Sequence, residues 1–296
     1  IKKILIVGGN GFLGYNLALK LSKFNYKIYL LCKKKKSKLK LIKNVNYIYC
    51  DILNKKKLIK GLNNNFDYVI NLSGNINHGN KKETFQVHYK GLKNLVNALN
   101  RKKLKLFIQA GTSLEYGNLR SPQTEFIKCN PTSNYGKAKN LASEYLLSHK
   151  DKFNTVILRL YQIYGPHQKK NRLIPLVIES CLNKEKFKCT EGLQRRDFLY
   201  VDDLSFLIKK IIHKKKIRSG IYNVGYGKPV SVREVINLIQ KISKGGYPLF
   251  GEIKMREDEI HSLFPNINKI TKYFKWKPKT KILAGLKKTV KYYEKY

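Results

Sequence analysis

A chain of 296 residues, 42% of them apolar, is long enough for one large α/β domain or for a nucleotide-binding domain with a smaller cap. No apolar run approaches the ~20 residues of a membrane-spanning helix, and five scattered cysteines without a CxxC pair argue against a disulfide framework or a zinc site. The formal net charge of +42, from 61 Lys and Arg against 19 Asp and Glu, leaves two readings: a polyanion partner, or drift in a coding sequence that also favours Asn, Ile and Tyr.

The lysines run along the whole chain, with a local cluster at 33–36, and this spread favours drift over a nucleic-acid arm. We therefore expect no specific nucleic-acid partner, and a non-catalytic RNA-binding scaffold stands as the remote alternative. In either case the field attracts anionic small molecules in a salt-dependent way. The opening Ile1-Lys2-Lys3 and the apolar 4–7 superficially resemble a secretion signal, but the run is too short and leads into a glycine turn. With reduced thiols and six histidines that lack HExxH or other ligand spacing, the expectation is a cytoplasmic protein without a metal or a membrane span.

In chain order, residues 4–7 read as a strand and 15–24 as a helix. Between them Gly8, Gly11 and Gly14 give GxxGxxG, the spacing that lets backbone approach a dinucleotide pyrophosphate at a helix amino end, beside Phe12 and Leu13. A second strand over 28–31 ends at Cys32, where an NAD-preferring enzyme carries an acid for the ribose hydroxyl. Lys33 and Lys34 follow instead, so the expected cofactor is NADP, with NAD possible. A third strand over 46–50 brings up Asp51 and Ile52; Asp51 would accept from the adenine amine, or simply serve a turn. Strands over 67–72, 106–110 and 155–160 alternate with helices over 85–100 and 135–148. Residues 1–165 thus read as a Rossmann-like, doubly wound parallel sheet that binds a dinucleotide. Beyond 165 the alternation weakens. Helices over 173–183, 201–213 and 231–243, extended stretches at 187–190 and 195–199, and a Lys-rich closing helix suggest a smaller α/β cap over 166–296, interleaved with the last sheet strands.

Tyr135 and Lys139 share a helix face at i and i+4. An unperturbed tyrosine ionises near ~10 and a useful acid/base sits nearer ~7, so ~4 kcal/mol must come from its surroundings. An adjacent ammonium and a cationic nicotinamide ring supply charge of the right sign. Thr112 is placed to hydrogen-bond the reacting oxygen, with Ser113 as the alternative hydroxyl.

Further stretches carry a resemblance over nearly the whole length: Thr112-Ser113-Leu114-Glu115-Tyr116-Gly117, Arg159-Leu160-Tyr161-Gln162-Ile163-Tyr164-Gly165-Pro166, Arg196-Asp197-Phe198-Leu199-Tyr200-Val201-Asp202-Asp203 and Trp276-Lys277-Pro278. Together with the glycine opening and the Tyr135/Lys139 pair, they make the chain resemble an extended short-chain dehydrogenase/reductase of the NAD-dependent epimerase/dehydratase family, which acts on nucleotide sugars. The resemblance implies a catalytic triad of Thr112, Tyr135 and Lys139, and a diphosphate grip by Arg196 and Arg256, for which guanidinium is the favoured planar clamp. It also implies that the cap binds a nucleoside-diphosphate sugar and that the chain forms a homodimer through helices near 85–100 and 135–148. Two departures stand out. The family's sugar 4,6-dehydratases follow the threonine with an Asp-Glu pair, whereas Ser113 and Leu114 stand here, so dehydration is disfavoured. His88 replaces the family's usual asparagine, either as part of a proton path or helix kink or as a packed residue. The expected activity is reduction of a 4-keto sugar nucleotide at C4, with 4-epimerisation on tightly held NAD as the alternative.

Overall fold

The computed structural model describes residues 1–35, 39–74, 80–257 and 259–295; of the lysine cluster at 33–36, Lys36 lies outside them. The first half alternates as expected: β1 (Lys2–Val7), α1 (Phe12–Leu21), β2 (Tyr26–Cys32), β3 (Val45–Tyr49), α2 (Lys55–Gly61) and β4 (Tyr68–Asn71). The helix expected over 85–100 is instead a composite of α3 (Lys81–Phe85), a π-helical turn (Gln86–Lys90) and α4 (Gly91–Ala98). Then come β5 (Leu106–Thr112), a 3₁₀ turn (Ser113–Glu115), α5 (Asn134–Leu147), β6 (Asn154–Leu160) and β7 (Gln162–Tyr164).

The second half runs through α6 (Leu173–Leu182), β8 (Lys186–Cys189), β9 (Arg195–Arg196), β10 (Phe198–Tyr200), α7 (Val201–His213), β11 (Gly220–Val224) and β12 (Val230–Ser231). It closes with α8 (Val232–Ser243), β13 (Tyr247–Phe250), β14 (Ser262–Leu263), α9 (Asn268–Phe274) and α10 (Ile282–Tyr293).

Two units emerge. The first comprises 1–119, 125–160 and 205–223; the second comprises 120–124, 161–204 and 224–296. The main sheet has seven strands in the order β11-β6-β5-β4-β1-β2-β3, and every pairing from β6 to β3 is parallel. Strands such as Ile4-Leu5-Ile6-Val7 are apolar throughout because helices cover both faces of a parallel sheet. Leu5, Val7, Tyr29, Phe66, Val69 and Phe107 join Leu92, Leu95 and Val96 of α4 in one core. The second unit has its own core, in which Ile174 and Ile178 of α6 pack with Val235 and Ile239 of α8 and with Leu286 of α10.

Two motif aspartates act as anchors within the second unit. Asp197 is fully buried and accepts from the amides of Tyr226 (2.5 Å) and Gly227 (2.6 Å). Asp203 accepts from the amides of Lys279 (3.2 Å) and Thr280 (2.9 Å), just past Trp276-Lys277-Pro278, which ties the closing signature to the start of α7.

Candidate active site

The glycine turn follows β1. Gly8 has φ +81°, and a Cβ there would lie 2.9 Å from the Leu72 carbonyl oxygen and from the backbone of Ser73. At Gly14 a Cβ would come within 2.4 Å of the Gly8 oxygen, so helix and turn approach more closely than any side chain permits. Helices α2, α3, α5 and α8 begin on a side-chain cap from Asn54, Asn80, Ser133 and Ser231. Like α6, α9 and α10, α1 begins with no side-chain cap and no acid in its first turn, but it alone of these starts on the Gly8–Gly11 turn. The positive end of its dipole is therefore left for an external anion, beside Phe12 and Leu13. These features fit a dinucleotide pyrophosphate.

At the end of β2, Cys32 is buried and its thiol donates to the Leu30 carbonyl. The neighbouring Lys33 is 2.9 Å from the Asp51 carboxylate, so the two residues assigned to different parts of the cofactor meet each other. Burial alone would raise the Asp51 carboxyl; the Leu53 amide (2.9 Å) and Lys33 outweigh it and hold it below the usual range. Ile52 packs in the core, and its carbonyl accepts from Asn94 of α4. Asn10 of the glycine turn donates to the Lys34 carbonyl (2.8 Å), which fixes the two loops to each other.

Thr112, Tyr135 and Lys139 all lie in the first unit, and Lys139 bonds to the strand that Thr112 ends. Thr112 ends β5 and caps the following 3₁₀ turn; its hydroxyl oxygen accepts from the Leu114 amide (3.3 Å), which leaves its O–H to donate elsewhere. Ser113 is buried beside it. On α5, the Lys139 ammonium donates to the Ala110 carbonyl at 2.8 Å and sits 5.8 Å from the Tyr135 ring centroid. Burial pulls the Lys139 ammonium down to about 8, with Glu115 opposing. His88, buried in the π-helical turn, meets the Tyr135 ring edge-on at 5.0 Å between centroids. His88 is thus a packed residue within a locally widened helical turn.

The buried Lys139 charge has a thermodynamic consequence. A base whose folded value lies below its unfolded one penalises the folded state while it is charged. The penalty is complete below pH ~8 and fades as pH rises towards 10.5. Lys139→Met is expected to raise stability at pH 7 by about 2 kcal/mol, allowing for the lost bond to Ala110, and to give no advantage near pH ~10.5. Urea unfolding at both pH values checks this; a destabilised variant at pH 7 would contradict it.

In the second unit Arg196 and Arg256 line one cavity of about 480 Å³ together with Arg172, Lys254 and Glu259. Arg196 is buried on β9 and ion-paired with Glu259, while Arg256 is exposed. Burial lowers the Arg196 guanidinium and Glu259 opposes that shift. Sequence reading missed Arg172, Lys254 and Glu259, which carry no spacing signal in so basic a chain. It also gave no role to Glu115, although a carboxylate inside an apolar strand-to-turn stretch was a visible anomaly.

Comparison with known proteins places this chain in a family. Over 305 aligned residues the chain is 28% identical to CDP-abequose synthase of Salmonella muenchen, covering 97% of this chain and 96% of that protein. It is 31% identical to dTDP-D-glucose 4,6-dehydratase of Dictyostelium discoideum over 82% of this chain and 62% of that protein. The crystal structure of UDP-glucose 4-epimerase from Thermotoga maritima with UDP-glucose superposes with a TM-score of 0.91 at 23% identity, covering 99% of each chain, which establishes the same fold. Since the family model matches residues 4–225, the chain is an enzyme of the NAD dependent epimerase/dehydratase family.

Proposed function

We propose that this enzyme reduces a 4-keto sugar nucleotide at C4, with Tyr135 as proton donor and NADP(H) as cofactor. The observation that carries the proposal is the Tyr135–Lys139 pair on α5, with Lys139 bonded to the strand that ends in Thr112 and is followed by Ser113 and Leu114, neither of which is an acid or base suited to eliminating water. The near full-length similarity to a protein named for making a CDP-linked sugar supports it.

A bound nicotinamide supplies the hydride. The chain's own part is proton handling and charge. The Thr112 hydroxyl donates to the sugar oxygen, Tyr135 gives that oxygen its proton, and the Lys139 ammonium stabilises the phenolate left behind. At pH 7 an amine that titrates near 8 is still about nine-tenths ammonium, so Lys139 can perform this role. Arg196 and Arg256 bind the diphosphate, a role that suits a cavity lined, among the described residues, by four basic side chains and one carboxylate. The cap over 166–296 holds the sugar nucleotide, and residues 1–165 hold the dinucleotide. A homodimer through α3, α4 and α5 completes the reading, supported by the partly exposed Phe85 and Leu141 in one groove of α3 and α5.

The NADP assignment rests on Cys32 in place of an acid, with Lys33 and Lys34 next to it. The Lys33–Asp51 pair is largely exposed and worth at most ~1 kcal/mol, so a 2′-phosphate competes readily for Lys33. The same pair also favours a second reading: with Lys33 already neutralised, NAD fits, and tightly held NAD is what 4-epimerisation uses. Denaturing the purified protein and identifying the released dinucleotide separates the two. Exchangeable NADP(H), and NADPH consumption with CDP- or UDP-linked 4-keto-6-deoxyhexoses, are expected. Retained NAD, with interconversion of C4 epimers and no NADPH turnover, would replace the reductase with the epimerase.

A further inference from the structure

Two charges buried beside the triad have no part in the chemistry above. Glu115 and Arg159 have side-chain exposures of 0% and 2% and form an ion pair at 2.9 Å. The Glu115 carboxylate is held from three elements. One oxygen accepts from the Thr112 amide (2.8 Å) at the end of β5; the other accepts from the Ser143 hydroxyl on α5 and from Arg159 Nε on β6, both at 2.9 Å. Ser143 lies one helical turn beyond Lys139 on the same helix, so this carboxylate links the threonine to the helix that bears the tyrosine and the lysine.

The surroundings are shaped for that carboxylate. A Cβ on Gly111 would stand 2.6 Å from its oxygen, so glycine there leaves the space. The Arg159 guanidinium lies 4.4 Å from the Tyr116 ring centroid, and the Tyr116 hydroxyl donates to Asn223 at 2.8 Å. A buried ion pair is often no more stable than apolar residues of the same volume, so stability alone does not account for Glu115. What an apolar replacement could not provide is a fixed negative charge near Lys139.

We propose that Glu115 is a positioning residue of the proton-transfer site: its carboxylate locks Thr112 to the Tyr135–Lys139 helix and keeps Lys139 an ammonium. The catalytic half of this proposal rests on the reading of Tyr135 and Lys139 given above; the electrostatic half does not. Lys139 meets Tyr135 on its own helix and the Glu115 charge from the turn after β5, with His88 behind Tyr135. Glu115 in turn faces Arg159 from β6, which is surrounded by Tyr116 and by Cys129 from the loop before α5. Among them Glu115 is the charge that opposes burial at Lys139. Burial pushes the Tyr116 phenol up to about 12 and raises the Cys129 thiol, which keeps both neutral near pH 7.

The test needs no substrate. The difference in unfolding free energy between the protein and its Lys139→Met variant, followed against pH, turns where Lys139 titrates, near 8. Between Glu115→Gln and Glu115→Gln/Lys139→Met the turning point is expected to fall by about one pH unit or more. With the sugar nucleotide that turns over fastest, the alkaline limb of kcat should move down with it while KM holds. If Glu115→Gln does not fold, Glu115→Gln/Arg159→Met removes both buried charges and is read in the same way. A turning point that stays near 8 in the variant that folds overturns the proposal. If the turning point falls but kcat keeps its pH limb, Glu115 sets the charge of Lys139 and the catalytic half fails. Full turnover by Tyr135→Phe would instead strike at the proposed function and leave the stability result standing.

Discussion

Replacing Tyr135 by Phe is expected to lower kcat by a factor of about 10² to 10⁴, the usual contribution of a positioned proton donor, while KM for the sugar nucleotide changes little. The substitution removes one oxygen and keeps the ring, so packing against His88 and the contact with Lys139 survive. The folded protein should accordingly show an unchanged melting temperature and unchanged dinucleotide binding. Lys139 keeps its bond to the Ala110 carbonyl, so any loss of rate falls on the missing phenol and not on a displaced ammonium. Measuring kcat and KM on the 4-keto substrate, with bound dinucleotide quantified in parallel, decides the matter. A variant within threefold of the parent rate would remove Tyr135 from the chemistry.

The second large effect is expected from Gly14→Ala. The new methyl carbon would stand 2.4 Å from the Gly8 oxygen and 2.9 Å from the Gly8 carbonyl carbon and Gly9 Cα, and all three neighbours are backbone. No side chain can rotate aside, so α1 must move off the turn, at about 1–3 kcal/mol of stability. The greater damage is to the dinucleotide. Gly8 already sits at φ +81° against Leu72 and Ser73 and cannot retreat, so the cradle itself opens. Loss of one to two well-placed backbone bonds to phosphate corresponds to a fall in affinity of about 10- to 100-fold or more. Fluorescence titration with NADPH and with NADH reads it directly, and unchanged affinity for both would show that the dinucleotide is held elsewhere.

How much of this could be read beforehand follows from which residues announce their own geometry. Glycines at positions 8, 11 and 14 between an apolar run and an amphipathic one have few other uses, and Tyr135 and Lys139 four apart on a helix declare a shared face. The sheet through β6 followed from short apolar runs with no competing pattern. Other elements were hidden for physical reasons. The sequence of α2, Lys-Lys-Lys-Leu-Ile-Lys-Gly, buries Leu58 but otherwise looks like a solvated charge run in so basic a chain. Pro248 argues against a strand, yet β13 pairs with β8 through Tyr247–Phe250. β9, β12 and β14 are two residues each, below the length at which alternation can register. The cavity pairing of Arg196 with Glu259 joins residues 63 positions apart, which no local pattern encodes.

The wide turn at Gln86–Lys90 shows how one helical stretch meets two separate demands. Its carbonyl-to-amide pairing skips a residue, with the Gly91 amide reaching back to the Gln86 oxygen, so the rotation of about 100° that one residue brings is absorbed there. Ahead of the wide turn Thr84 is buried, within it His88, and after it Leu92, Leu95 and Val96 join the core. The buried positions at 84, 88, 92, 95 and 96 nevertheless keep the three- and four-residue spacing of one helical face. A protein engineer who trims one amino acid inside the wide turn would restore the ordinary spiral with both flanks still seated, and the loss would fall on the local widening that surrounds His88.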